Sequence, residues 1–327
     1  MAFSRTTSWV LVAFLVLLGV WKALLWLYTP LPTTDAVQML SHTFSLLRGD
    51  FWLSTYWHNW MTLYQLPYGY GLFTAPLMGL LPFGMLNNYF AIALIFATLS
   101  AGLAYRLISL SSGTKRVYAA LAAVAVFTHP QLWIMRPESI IVSLLLAALI
   151  LVRTPPRKRT LGIVALLVAL AGLTQPLGGL IGVMLILMTA FEQRWAFRQV
   201  VLFAGMVAAW LALLYGPIIL IDVPLWVENF IGFFTQEEPR GLATLTGALR
   251  ALVRVGGWTV PLFALYGFGL FASRRQAGFS LLREALWLLI LFLPMLMGGT
   301  GNYFSYLIVF AVWRLSRLPW LAAPSRA

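Results

Sequence analysis

The chain has 327 residues and no cysteine; 61% are hydrophobic and only 9% charged, against about 45 to 50% apolar and roughly a quarter charged in soluble domains. Polar residues are too few to cover a water-facing surface of that size, which excludes a water-soluble domain and points to lipid as the solvent. Without cysteine there is no disulfide framework, thiolate metal site or cysteine nucleophile, and the formal charge of +13 raises sidedness before nucleic acid.

Crossing a hydrocarbon core of about 30 Å takes roughly 20 helical residues. In chain order the apolar stretches that approach this length are Ser8 to Tyr28, Asn87 to Ile108, Val117 to Met135 and Pro137 to Val152. They continue with Leu161 to Thr174, Pro176 to Phe191, Val200 to Ile221, Gly257 to Ala272, Ala285 to Met297 and Tyr303 to Leu315. The expected fold is all-α: a polytopic integral membrane protein of about ten transmembrane helices, forming a single transmembrane domain over residues 1–327. Short connections such as RTPPRKRT leave no room for a cytoplasmic domain, and no soluble C-terminal domain is expected after the last span. The first apolar run is too long for a cleavable signal and no A-x-A-like site closes it, so it reads as an anchor.

Placing both termini in the cytoplasm makes the positive-inside rule testable on every loop. Arg5, Arg106, Lys115, Arg116, Arg153, Arg157, Lys158, Arg159, Arg194, Arg198, Arg274, Arg275, Arg283, Arg314, Arg317 and Arg326 then fall inside. Outside lie only Arg48, Arg136, Arg240, Arg250 and Arg254, while Lys22 snorkels from the first span. The acids divide the other way: Asp35, Asp50, Glu138, Asp222, Glu228, Glu237 and Glu238 are outside, Glu192 and Glu284 inside. The positive charge is thus topology, no nucleic-acid partner is needed, and chemistry is expected at the extracytoplasmic face.

Residues 29–86 form the long first extracytoplasmic loop, and ordered loops of that length are usually functional. Thr34 is a good N-cap, and Val37, Leu40, Phe44 and Leu47 recur at spacings that make a short amphipathic helix ending at Gly49. Asp35 sits in its first turn, where the helix dipole favours an anion. The segment YWHNWMTLYQLPYGYG packs aromatic rings with polar edges around His58 and Asn59, a composition suited to headgroup level. Leu72 to Phe83 is apolar but only about 18 Å long as a helix, too short to cross, and reads as a re-entrant or interfacial helix.

The order of TTDAVQMLSHTFSLLRGD after the first span, then LPYGYGLFTAPLMGLLPFG, then a second span, resembles the polytopic C-type (GT-C) glycosyltransferases. Further along, AALAAVAVFTHPQLWIMRPESIIVSLLLAALILV is similar to the family's third and fourth spans, with Glu138 beside Arg136 in the tight outer turn. LGIVALLVALAGLTQPLGGLIGVML resembles the next pair, with Gln175 where a lysine is frequent, and GNYFSYLIVF the late Arg-Tyr segment, with Asn302 before Tyr303. The likeness covers roughly residues 1–190 and, weakly, the remainder. It implies a polyprenyl-phosphate-sugar donor, a glycan, lipid or protein acceptor, and a catalytic-base or metal-associated role for Asp35.

Sugar transfer from a lipid phosphate to a hydroxyl needs a base for the acceptor proton and positive charge or donors for the departing phosphate. Asp35 is the expected base, and inversion would follow from its direct activation of the acceptor. Glu138 is a second carboxylate, able to share a divalent cation (Mg or Mn) with Asp35 or to bind sugar hydroxyls, and Arg136 is a phosphate clamp. His58, Asn59 and Asp50 are accessory substrate-binding residues, and Arg250 and Arg254, four apart on one helical face, suit a lipid phosphate. Each has a plainer structural reading, from a first-turn charge at Asp35 to ordinary turn chemistry at Asp50. Two other functions stay open: a transporter or flippase, for which midplane charges and internal repeats are scarce here, and an inactive membrane subunit that keeps the enzyme fold.

Overall fold

The structure is a computed structural model that describes residues 69–82, 85–112, 116–133, 137–221, 223–224, 245–276, 278–297 and 305–319. Of the described residues 88% are helical and none lies in a strand, so the chain is all-α. The helices are α1 (Gly69–Leu80), α2 (Met85–Ser112), α3 (Arg116–Phe127), α4 (Pro130–Trp133), α5 (Pro137–Leu151) and α6 (Lys158–Thr174). They continue with α7 (Pro176–Glu192), α8 (Phe197–Ile221), α9 (Leu245–Ser273), α10 (Leu281–Met297) and α11 (Leu307–Arg317). Among the described residues two segments, Ala91–Leu110 and Phe197–Gly216, are long and apolar enough to cross a membrane; shorter apolar helices include Glu138–Leu151, Pro176–Glu192 and Thr259–Ser273.

The chain forms two compact units. One comprises residues 1–31, 94–134 and 241–327, the other 32–93 and 135–240. In the second unit α6 is the central helix, packed by α1, α5, α7 and α8. Small residues permit this. A Cβ on Gly179 of α7 would lie 2.6 Å from the Cα of Gly172 on α6, so these two backbones touch. Gly178 faces Ile141 of α5, and Gly182, one turn on, faces Leu145. The matching step of four on both helices makes α5 and α7 parallel. Across α6, the indole of Trp210 donates to the Gly162 carbonyl at 3.2 Å and the Tyr215 hydroxyl to that of Gly172 at 2.9 Å. The four helices therefore alternate in direction, α5 with α7 and α6 with α8.

The α6–α7 reversal is abrupt. Thr174 ends α6, Gln175 alone is extended (φ −161°, ψ 127°), and Pro176 opens α7. Proline disfavours the helical region for the residue before it and fits the first position of the next helix, so a single residue makes the turn. At the start of the same unit, the Asn88 amide donates to the carbonyls of Met78 and Leu81 and closes the end of α1.

In the first unit α9 packs on α3 and α11. Tyr118 of α3 stacks on Phe268 with rings 6.2 Å apart and 10° between planes. Tyr266 meets Phe310 edge-on at 5.9 Å, and Gly269 admits Leu318 and Leu315. Helix α11 is buried from Leu307 to Ser316.

Several expected boundaries shift. The stretch predicted as a span over Val117 to Met135 is helical only to Phe127, because His129 precedes Pro130 and α4 restarts there. The helix predicted over Gly257 to Ala272 begins at Leu245 and carries Pro261 within it. Gly216-Pro217 and Pro294 lie within α8 and α10, which stay continuous through them. The short helix expected over Leu72 to Phe83 is present as α1, 12 residues long.

Candidate functional site

Glu138 is the described member of the predicted catalytic set. It lies in the first turn of α5, where the helix dipole favours its charge, and is buried to 3% exposure. Ser139 beside it and Ser143 one turn on are also buried, with the Ser143 hydroxyl donating to the Ser139 carbonyl at 3.3 Å. Glu138 stands one turn before Ile141, and Gln175 one turn before Gly178, the two residues whose side chain and backbone meet between α5 and α7. Glu138 and Gln175 therefore share one end of the second unit. Thr174 and Gln175 are buried there, and the Thr174 hydroxyl caps the Leu170 carbonyl at 2.8 Å. Chemically this end offers a carboxylate, a carboxamide and hydroxyls in an apolar surround, groups that bind sugar hydroxyls or orient a nucleophile.

The opposite end is basic. The 152–157 turn and the 193–196 turn carry Arg153, Arg157, Arg194 and, at the adjoining helix starts, Lys158, Arg159 and Arg198. The Gln193 side chain joins the turns, donating to the carbonyls of Val152 and Arg153 at 2.7 and 2.8 Å while accepting from the Trp195 indole at 2.9 Å. Helix α5 separates this end from Glu138 by about 20 Å, at 1.5 Å per residue.

The first unit holds a polar cluster that the sequence reading did not single out. Arg314 of α11 donates from Nε to Oε2 of Glu284 at 2.7 Å and from Nη2 to Oε1 at 2.5 Å. The Tyr266 hydroxyl donates to the same Oε2 at 2.7 Å. All three side chains are buried, and the Arg314 guanidinium lies 4.6 Å over the Trp313 ring. The signal was present: Arg314 falls inside a predicted span, where an ionisable residue needs a partner, and Glu284 is one of two acids sorted to the same side. Outside this pair, Arg116, Arg274, Arg275, Arg283 and Arg317 gather at the same end of the unit, set there by Tyr118 against Phe268 and by the α9–α10 turn.

Of the other predicted site residues, Asp35, Asp50, His58, Asn59 and Arg136 lie outside the described residues. Arg250 and Arg254 lie on α9 in the first unit, with side chains outside the described ones. For a divalent cation, Glu138 supplies one carboxylate; no group of three His, Cys, Asp or Glu side chains able to hold a metal occurs among the described residues. Comparison with known protein families, curated proteins and solved structures gives no match for this chain.

Proposed function

We propose that the chain is a polytopic integral membrane protein that transfers a sugar from a polyprenyl-phosphate donor to a hydroxyl acceptor at the extracytoplasmic face. The membrane part is supported by outward apolar surface. Only 11% of the Phe197–Gly216 segment is buried, and α10 exposes Leu282, Leu286, Leu289 and Leu293. Faces of that kind suit a lipid solvent. Close backbone contact through Gly172, Gly178, Gly179 and Gly182 is the packing that membrane helices favour when lipid supplies no hydrophobic drive.

The observation that carries the catalytic part is Glu138, a buried carboxylate at the end of its unit opposite the basic turns and level with Gln175. On this reading Asp35 takes the acceptor proton, Glu138 and Gln175 hold sugar hydroxyls, and Arg136 receives the departing phosphate. The resemblance of the first outer loop to GT-C enzymes supplies the donor class. A panel of radiolabelled polyprenyl-phosphate sugars, offered to the purified chain, tests it. Asp35→Asn is expected to lower transfer by about 10²- to 10⁴-fold, and Glu138→Gln to raise KM. Equal product from native chain and Asp35→Asn would exclude Asp35 as base.

One observation favours transport as the second reading: the buried Glu284–Arg314 pair is an ionisable group inside a helical unit, a feature that solute and proton pathways use. Solute uptake into proteoliposomes without sugar transfer would decide for it.

A further inference from the structure

The basic end of the second unit is built as a bilayer boundary. Between residues 152 and 200 it carries six cations, Arg153, Arg157, Lys158, Arg159, Arg194 and Arg198, against one acid, Glu192. Most are exposed, and they are held on a fixed frame. Gln193 ties the two turns together, Gln199 accepts from the Ala196 N–H at 3.0 Å and reaches the Pro156 carbonyl at 3.5 Å, and Arg194 is kept at φ 53°. A left-handed arginine is uncommon, so the turn fixes its backbone firmly.

Exposed apolar side chains lie directly beside these cations. Ile163 follows Arg159 by one turn on α6 and is 44% exposed; Val201 follows Arg198 on α8. Phe191 and Phe197, which flank Arg194, are 73% and 82% exposed. Cations one turn beyond exposed apolar groups match the step from headgroup to acyl chain in a bilayer, whereas a free phosphate or a nucleic acid would leave the phenylalanines in water. The cations also open α6, where the helix dipole disfavours them and Arg157 makes no side-chain cap, so an anion lying across them relieves that repulsion.

From this arrangement we infer that the 152–159 and 193–198 turns form a docking surface for anionic phospholipid headgroups, which orders this end against the cytoplasmic leaflet. The inference rests on the membrane reading and is independent of the sugar-transfer site. Its occupant is a lipid phosphate in a bilayer, recognised through charge and through the adjoining apolar rim.

The test uses the full chain in phosphatidylcholine vesicles containing about one part in five phosphatidylglycerol, with spin-labelled phosphatidylglycerol or phosphatidylcholine reporting the relative association constant by electron paramagnetic resonance. The native chain should prefer phosphatidylglycerol by about fivefold or more. R157Q/K158Q/R159Q/R194Q/R198Q should bring the ratio towards unity. The charge-keeping variant R157K/R159K/R194K/R198K should retain it, which separates charge from misfolding. R274Q/R275Q, which removes exposed cations from the other unit, should retain it as well. No preference in the native chain, or equal loss in the R274Q/R275Q control, would overturn the inference. Full displacement by millimolar inorganic phosphate would overturn it too, in favour of a discrete anion pocket. Extraction of the chain from membranes by alkaline carbonate would sink the membrane reading instead, so the two failures are distinguishable.

Discussion

Arg314 and Glu284, thirty residues apart, meet through two parallel N–H···O bonds while both side chains are about 2% exposed. Such a fork is geometrically specific, but its stabilising value depends on both partners. Glu284→Gln strands a buried guanidinium and is expected to cost about 3 to 5 kcal/mol, whereas Glu284→Leu with Arg314→Met should cost far less. Tyr266→Phe removes one hydrogen bond to a charged oxygen and should cost about 1.5 to 3 kcal/mol. Thermal unfolding of the detergent-purified variants orders them; a Glu284→Gln chain as stable as the native one would contradict a closed pair.

Gly179→Ala probes the backbone contact between α6 and α7. Its Cβ would meet Gly172 Cα at 2.6 Å and Gly172 N at 3.1 Å, atoms that no rotamer change can move aside. The helices must separate, and a loss of about 1 to 3 kcal/mol is expected. Gly205→Ala on α8 meets nothing within 4 Å and removes a poor helix former, so it should be neutral or stabilising by up to about 1 kcal/mol. Unfolding midpoints that fail to separate these two alanines would argue against close packing of the hairpin.

What the sequence made legible follows from what is local. Apolar length and proline punctuation set α5, α6, α7 and α8 to within a few residues, because Pro137, Pro176 and the RTPPRKRT turn act on the backbone where they stand. Charge sorting anticipated that Arg153, Arg157 and Arg198 share one end, away from Glu138. Proline inside a helix does not end it here: at Pro217, Pro261 and Pro294 the helix continues. A break there would expose backbone groups that an apolar surround cannot satisfy. For the Glu284–Arg314–Tyr266 cluster the sequence signalled only that Arg314, inside a predicted span, needs a partner; which residues meet it was not legible, since the cluster joins three helices and no spacing encodes it. The expected meeting of Asp35, Arg136 and Glu138 reaches the described residues only at Glu138.

Gln193 carries the junction of the two basic turns. Gln193→Leu leaves the carbonyls of Val152 and Arg153 and the Trp195 indole without this partner, at an expected cost of about 1 to 3 kcal/mol. Because the break is confined to one end, limited proteolysis should show earlier cleavage in the 152–157 turn than elsewhere. Unchanged cleavage there would mean that the turns are held by their helices alone.

The sidedness on which the proposed chemistry depends can be measured directly, because the chain has no cysteine and any introduced thiol is unique. Thr154→Cys and Gln276→Cys lie at exposed turns of the two units, each at the end where cations collect, and both should react with a membrane-impermeant maleimide only from the cytoplasmic side. Gln38→Cys, one turn from Asp35 in the predicted amphipathic helix, should react only from outside. The sign is set by charge: moving the 152–159, 193–198 and 274–283 segments, where cations collect, to the outer side would oppose the positive-inside bias. Labelling of Gln38→Cys and Thr154→Cys from the same side would place Asp35 with the basic turns and remove it from any extracytoplasmic transfer site.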